Sequence, residues 1–153
     1  MSVATVKTRL AFIQKNRISG VKRSFAQGPN SINTADMPLF INLTKPAQHD
    51  WQILGSDFDQ EGRLYLMRLY VLPYGNGIPG EAERACEPFF DRVRDCFAAR
   101  PGLEGLEDVQ RAVLLGDSGV TLLDYPVGNF AYWGIEFRLN VVEYVEVIYA
   151  ANE

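Results

Sequence analysis

The chain has 153 residues, of which 47% are apolar and 22% are charged, and its net charge is −4. The apolar fraction is too high for intrinsic disorder and predicts one globular domain built on a single core. No run approaches the roughly 18 apolar residues of a membrane span, and no signal peptide is recognisable, so we expect a soluble, cytoplasmic chain. A pI near 5.1 disfavours binding to nucleic-acid backbones, which normally requires a basic surface.

The first predicted element is an amphipathic helix over about 3–16. Its apolar side chains recur at spacings of three and four: Val3, Val6, Leu10 and Ile13. A long polar stretch follows from Gly28 to Asp36, rich in residues that favour turns through bonds to their own backbone. This stretch is predicted to be a loop.

Two strands are expected next, over 38–43 and 49–54, followed by a polar, acidic turn over 55–63. The run 64–74 is apolar at both odd and even positions. A strand of this kind is covered on both faces, so we place it at the centre of the sheet.

A second helix is predicted over about 89–99, before Pro101 and Gly102. Its apolar stripe consists of Phe89, Val93 and Phe97. The segment Gly116–Gly119 then separates two apolar runs and is predicted to be the turn of a hairpin.

The last element is one long strand over about 130–149. Up to Val141 its apolar and polar residues alternate cleanly, and after Val142 both faces become partly apolar. Either a bulge with a change of sheet or a partner subunit would cover such an end. The whole pattern predicts a single-domain α+β fold over 1–153, with a mostly antiparallel sheet of about six strands packed by two helices.

Residues 116–120, "GDSGV", resemble the nucleophile loop of chymotrypsin-like serine proteases, and a relay of Ser118 with His49 and either Asp57 or Asp59 can be written. Val120 departs from the glycine that is usual there, and two helices do not suit a double β-barrel. A turn explains the motif more simply.

Other chemistry is weaker still. Asp57 and Asp59 could hold a hard cation, but two carboxylates at a hairpin tip are usually only solvated. Cys86 and Cys96 are about 15 Å apart along one helical region, too far for a disulfide, and no motif supplies a base to activate them. The glycines of 75–80 lack the Lys-Ser/Thr of a phosphate loop. We therefore predict no catalytic, cofactor or metal site.

The segment "NSINTADMP" after the first helix and the closing "YWGIEFRLNVVE" are the most telling parts of an element order that extends over nearly the whole chain. Taken together, this order resembles the tail terminator (tail completion) proteins of tailed bacteriophages. It implies a structural subunit, not an enzyme. Six copies would form a ring on the end of the tail tube, stop its growth and join it to the neck or head.

The resemblance also implies the partners and the contacts. The partners would be further copies of the chain, the tail tube protein, a neck or head-completion protein and possibly a sheath, with DNA only passing through the ring and no membrane involved. The protein would be made in the host cytoplasm and end in the virion tail. The expected interface residues are Asn30, Ser31, Asn33, Thr34, Asp57, Asp59, Tyr144, Val145 and Val147.

Three alternatives remain open. The chain could occupy another neck or tail position, as a head–tail stopper or a tube-like subunit. It could be a small module that binds a ligand or peptide, which would show a concave pocket with converging polar groups. It could also be a small serine hydrolase acting through Ser118.

Overall fold

The computed structural model describes residues 2–50, 58–76, 79–125 and 130–146. The helices and strands in these ranges are α1 (Val3–Arg17), β1 (Arg23–Phe25), β2 (Leu39–Asp50), β3 (Phe58–Pro73), α2 (Pro79–Ala98), β4 (Val109–Asp117), β5 (Thr121–Tyr125) and β6 (Phe130–Glu146). These six strands form one sheet in which only β1 and β2 are parallel. The predicted α+β class, with two helices on a mostly antiparallel sheet in one domain, is confirmed.

The sheet is organised around β6. Its strand order is β1-β2-β3-β6-β4, and β5 also pairs with β6. Since β3 occupies one edge of β6 along almost its entire length, β4 and β5 share the other edge and lie end to end along it. Both are antiparallel to β6, so β4 and β5 do not form the predicted hairpin. Residues 118–120 connect two strands that continue in one direction.

Both helices pack on the same face of the sheet, which we call the helix face. The alternation predicted for β6 is confirmed there, because Ile135, Phe137, Leu139 and Val141 are all buried in the core beneath the helices. α1 contributes the stripe that its spacing predicts, and Val6, Leu10 and Ile13 are fully buried. Neither helix in the described ranges is long and apolar enough to cross a membrane.

One polar pair is buried within this apolar contact. The Gln14 side chain donates to Asn42 Oδ1 at 2.7 Å, and Asn42 Nδ2 donates back to Gln14 Oε1 at 2.9 Å. Asn42 also donates to the Phe25 carbonyl at 3.0 Å. The pair therefore joins α1, β1 and β2 and fixes the position of the helix on the sheet.

The second helix begins ten residues before the predicted start. It contains Pro88 in its interior, where a proline removes a backbone hydrogen bond and normally costs about 3 kcal/mol. The apolar stripe runs straight through that position, with Ala82 and Cys86 buried before Pro88 and Phe89 buried after it. Burial of this continuous stripe outweighs the local cost of the proline. A prediction from local signals does not include the free energy of that burial.

Two further strand predictions are wrong in their limits. The expected strands over 38–43 and 49–54 are not separate, because β2 continues unbroken through His49 and Asp50, with a bulge between Thr44 and Ala47. The expected acidic turn over 55–63 is strand from Phe58 onward. Long-range pairing with β2 and β6 holds these polar residues in a strand. Their local composition does not predict this pairing.

We predict that Gln14→Leu lowers the free energy of unfolding by about 1–3 kcal/mol, because it leaves the buried amide of Asn42 without its partner. Lys15→Leu is the matched control, since Lys15 is exposed on the same helix, and its effect should stay within about 0.5 kcal/mol. Urea unfolding with an unchanged m-value would measure both. Equal stabilities of the two variants would contradict a stabilising role for the amide pair.

We also predict that Gly134→Ala destabilises the fold by at least about 2 kcal/mol. A Cβ at Gly134 would overlap the Leu69 carbonyl oxygen and press on Leu123, and neither has room to move within the sheet. Gly62→Ala is the matched control on β3, because a Cβ there would meet Asn140 at 3.5 Å, an ordinary contact. Thermal unfolding of the two variants should separate them clearly, and similar melting temperatures would refute the steric argument.

Candidate functional site

The polar loop covers part of the second face of the sheet, which we call the loop face. Met37 and Ile32 point inward from this loop onto a second apolar cluster. The strand residues of that cluster are Leu39, Ile41, Tyr70, Leu123, Tyr125 and Tyr132. Tyr70 stacks edge-on against Tyr132 with ring centroids 5.6 Å apart. The loop therefore has a structural role as well as an exposed surface.

The predicted contact residues of this loop lie on its outer side. Asn30, Ser31, Asn33 and Thr34 are all exposed. Asn33 also has a local role, because its side chain accepts from Ala35 N at 3.0 Å and caps a short 3₁₀ turn. The loop thus combines an apolar inner side with a hydrogen-bonding outer side.

The predicted contacts in the final strand lie far from that loop. Tyr144 is 44% exposed and Val145 is partly buried, while Val147 lies outside the described residues. Tyr132, beneath the loop, is twelve residues away along β6, or about 40 Å at the usual rise per strand residue. The loop and the end of β6 are consequently two separate surfaces.

The predicted acidic tip is not a turn at Asp59. That residue lies in β3, in register with Val145 of β6, and Asp57 is outside the described residues. The prediction rested on local composition, which favours a turn. Pairing of β3 with β6 determines the conformation of Asp59 instead.

The half of the loop face near the end of β6 is not covered by the loop or the helices; we call it the open half. It forms a groove of about 560 Å³ lined by Pro46, Gln48, Gln60, Gly62, Leu64, Arg111, Leu115, Asn140 and Val142. Leu115 is 58% exposed, and Val113, which is in register with Asn140, is 42% exposed. Apolar side chains are therefore presented to solvent beside this groove.

Two arginines on the open half have no acidic partner among the described residues. Arg138 lies between the buried Phe137 and Leu139 and so points to the loop face, as Arg111 does beside the groove. Both are exposed, and neither forms an ion pair with a described residue. By contrast, Arg68, nearer the loop, is paired with Glu136 at 2.8 Å. The open half thus presents apolar side chains, neutral amides and two arginines.

A pair of carboxyl groups lies at the same end of the sheet but on the helix face. Glu61 and Glu143 are directly opposite each other in the β3–β6 register. Burial, and then the neighbouring Glu61 carboxylate, raise the pKa of the Glu143 carboxyl above its usual range, and Arg63 opposes the rise. Glu143 Oε1 is buried without a hydrogen bond. This carboxylate destabilises the fold when it is ionised.

The residues proposed for a hydrolase do not converge. The Ser118 hydroxyl donates to the Gly119 carbonyl at 2.8 Å and accepts from Glu136 N at 3.0 Å, so it attaches the β4–β5 connection to β6. His49 is in register with Glu61, and therefore with Glu143, seven residues along β6 from that point. The two backbones are more than about 20 Å apart.

The two thiols are buried in α2. Burial raises the pKa of Cys86 to about 11, and burial is also the main cause of the raised pKa of Cys96. Both thiols are therefore protonated at neutral pH, which makes them poor nucleophiles. Within the described part of the chain, no cluster of three or more His, Cys, Asp or Glu residues could hold a metal ion.

Comparison with known proteins does not assign the chain to a family. No protein-family model matches the chain, and no curated protein matches its sequence.

The contribution of β4 to the open half was missed in the sequence. Val113 and Leu115 belong to the apolar run "AVLLG", which the sequence pattern predicts to be one arm of a hairpin. The spacing of these two residues by two is the signal for a shared strand face. This spacing does not reveal which edge of the sheet β4 joins. The edge determines the surface to which Val113 and Leu115 belong.

We predict that Glu143→Gln stabilises the fold at neutral pH. Because the folded pKa of Glu143 is raised, folding is favoured by its protonated form, and that stability is lost as the pH rises through the raised pKa. The gain of the variant should shrink toward pH values below about 4.3, the ordinary pKa of glutamate. Glu107→Gln, at an exposed position, controls for the change in net charge. Urea midpoints across this range would test the prediction, which fails if Glu143→Gln is no more stable than the parent at pH 7.

Proposed function

We propose that this chain is a tail terminator: a ring-forming structural subunit that caps the tail tube of a bacteriophage and joins it to the neck or head. The open half of the sheet is the observation that supports this most directly. It presents Val113, Leu115 and Tyr144 to solvent from β4 and β6, as a surface that other protein would cover. The element order that resembles such proteins supports the same assignment.

The two separate surfaces fit a subunit with several neighbours. The outer side of the polar loop carries Asn30, Ser31, Asn33 and Thr34, which can form hydrogen bonds and remain soluble before assembly. Tyr144, at the far end of the open half, lies about 40 Å from Tyr132 along β6, and the open half is suited to apolar contact. In a ring, one surface can face the neighbouring copy while another faces the tube or neck.

The charge of the chain suits a passage for DNA. Each copy has a net charge of −4, so six copies would carry −24 in total. A lining with little net positive charge would not hold phosphates as a basic one does, and DNA could slide through. The partners in this proposal are the chain itself, the tube subunit and a neck or head-completion protein, in the virion tail.

The proposal predicts that the purified protein stops the elongation of tail tubes. Tube subunits encoded by the same genome would be polymerised and followed by light scattering, with the chain added in amounts far below one copy per tube subunit. Elongation should stop at a length set by the ratio of chain to tube ends, with rings visible at those ends by electron microscopy. Unchanged elongation and bare tube ends would refute the function.

A pair of variants on β4 controls that experiment. Leu115→Asp places a charge on the exposed apolar part of the open half and should abolish capping. Gln110→Asp adds the same charge at an exposed polar position of the same strand and should leave capping intact. If both variants cap tubes as well as the parent does, the open half has no part in the function.

A further inference from the structure

A second unmatched surface lies on the opposite side of the molecule, along α2. Three exposed glutamates occupy its first half, Glu81, Glu83 and Glu87, and none forms an ion pair with a described residue. Arg84, also exposed, is the one cation among residues 80–87, so that this part of the helix carries a net charge of −2 from three glutamates and one arginine.

The carboxylates form a row on one ridge of the helix. Glu83, Glu87 and Asp91 are spaced by four residues, so each lies above the next. Like charges at this spacing destabilise a helix. Of these three, Asp91 forms an ion pair with a described residue, Arg94, at 3.1 Å. We call Glu83, Glu87 and Asp91 the acidic row; within one copy most of its charge is uncompensated.

The acidic row and the open half are complementary in charge and in length. The row spans eight residues of helix, or about 12 Å. Arg111 is in register with Val142, four residues along β6 from Arg138, so the two arginines are about 13 Å apart along the sheet. Two unpaired cations on one surface thus match the length of a row of anions on another.

The two surfaces cannot meet within one molecule. α2 packs on the helix face through Cys86, Phe89 and Val93, and the open half is on the other face of the same sheet. Contact between the surfaces therefore requires two copies. It joins different surfaces of each copy, and repeated contacts of this heterologous kind close into a ring when the rotation per copy allows it.

We propose that the acidic row of α2 on one copy docks on the open half of the next copy, where Arg111 and Arg138 pair with carboxylates of that row. The inference rests on the proposed ring-forming function and specifies which surfaces would form the ring. Leu115 and Val113 would pack beneath the docked helix, and the arginines would set its position along the groove. Electrostatic matching of this kind fixes orientation and excludes wrong registers.

Cross-linking of single-cysteine additions tests this pairing without tube protein. Glu87→Cys and Arg138→Cys chains would be mixed at millimolar concentration and treated with a short thiol cross-linker, since the native thiols are buried. The mixture should give covalent dimers at least about tenfold above the control, because docking holds the two added thiols at a high effective concentration. Glu107→Cys, exposed but outside α2, replaces Glu87→Cys in the control mixture.

Charge reversal gives an independent measurement on folded protein. One variant carries Glu83→Lys and Glu87→Lys, and the other carries Arg111→Glu and Arg138→Glu. Each alone should sediment as a monomer, because its helix now repels the sheet of its neighbour. Their mixture should associate, since each helix again meets a surface of opposite charge, and about 0.5 M salt should weaken this by screening.

Three results would overturn the inference: no mixed cross-link above the control, a Glu87→Cys homodimer formed more readily than the mixed dimer, or a mixture of the reversed variants that stays monomeric. Cross-linking of Arg138→Cys to added tube subunit in place of a second copy would assign the open half to the tube and overturn it as well. Capping of tubes by the unmodified chain is measured separately. Cross-linking without capping would reject the tail function and support the contact between copies. Capping without cross-linking would support the tail function and reject the contact between copies.

Discussion

The mismatch in length between the central strands and the helices is the constraint on which the rest of the structure depends. β3 and β6 have 16 and 17 residues and extend over about 50–55 Å. α1 and α2 have 15 and 20 residues and extend over about 22 and 30 Å. Two helices packed side by side therefore cannot cover the full length of the helix face. The loop face is covered only where loop residues pack on it.

The polar loop and the open half both lie on the face that the two helices leave uncovered. The loop inserts Ile32 and Met37 over the first half of the second face and turns its asparagines outward. No comparable segment in the described ranges reaches the second half, where Leu115 and Tyr144 stay exposed. Incomplete burial costs a lone chain some stability, and association can recover it. The proposed ring and the proposed docking of α2 both follow from this unequal coverage.

Much of the fold follows from local pattern. The alternation of β6 and the stripe of α1 predict which side chains are buried, because one face of each element is apolar at the period of its own geometry. The predicted limits fail where pairing partners matter: β3 extends into an acidic segment, α2 continues through Pro88, and the predicted hairpin at Gly116–Gly119 is not formed. In each case a long-range contact outweighs a local preference that is worth only about 1–3 kcal/mol.

For the candidate site, the sequence by itself determined that both faces of the final strand would be partly apolar after Val142 and that the loop would be polar, because side-chain chemistry and period are local properties. Only the tertiary structure decided that Val113 and Leu115 join that surface, that Arg111 and Arg138 lie beside them without an ion-pair partner among the described residues, and that the acidic row of α2 lies on the opposite side. These facts depend on which edge of β6 each strand occupies. Strand order is set by the packing of the whole chain, and no stretch of residues specifies it alone.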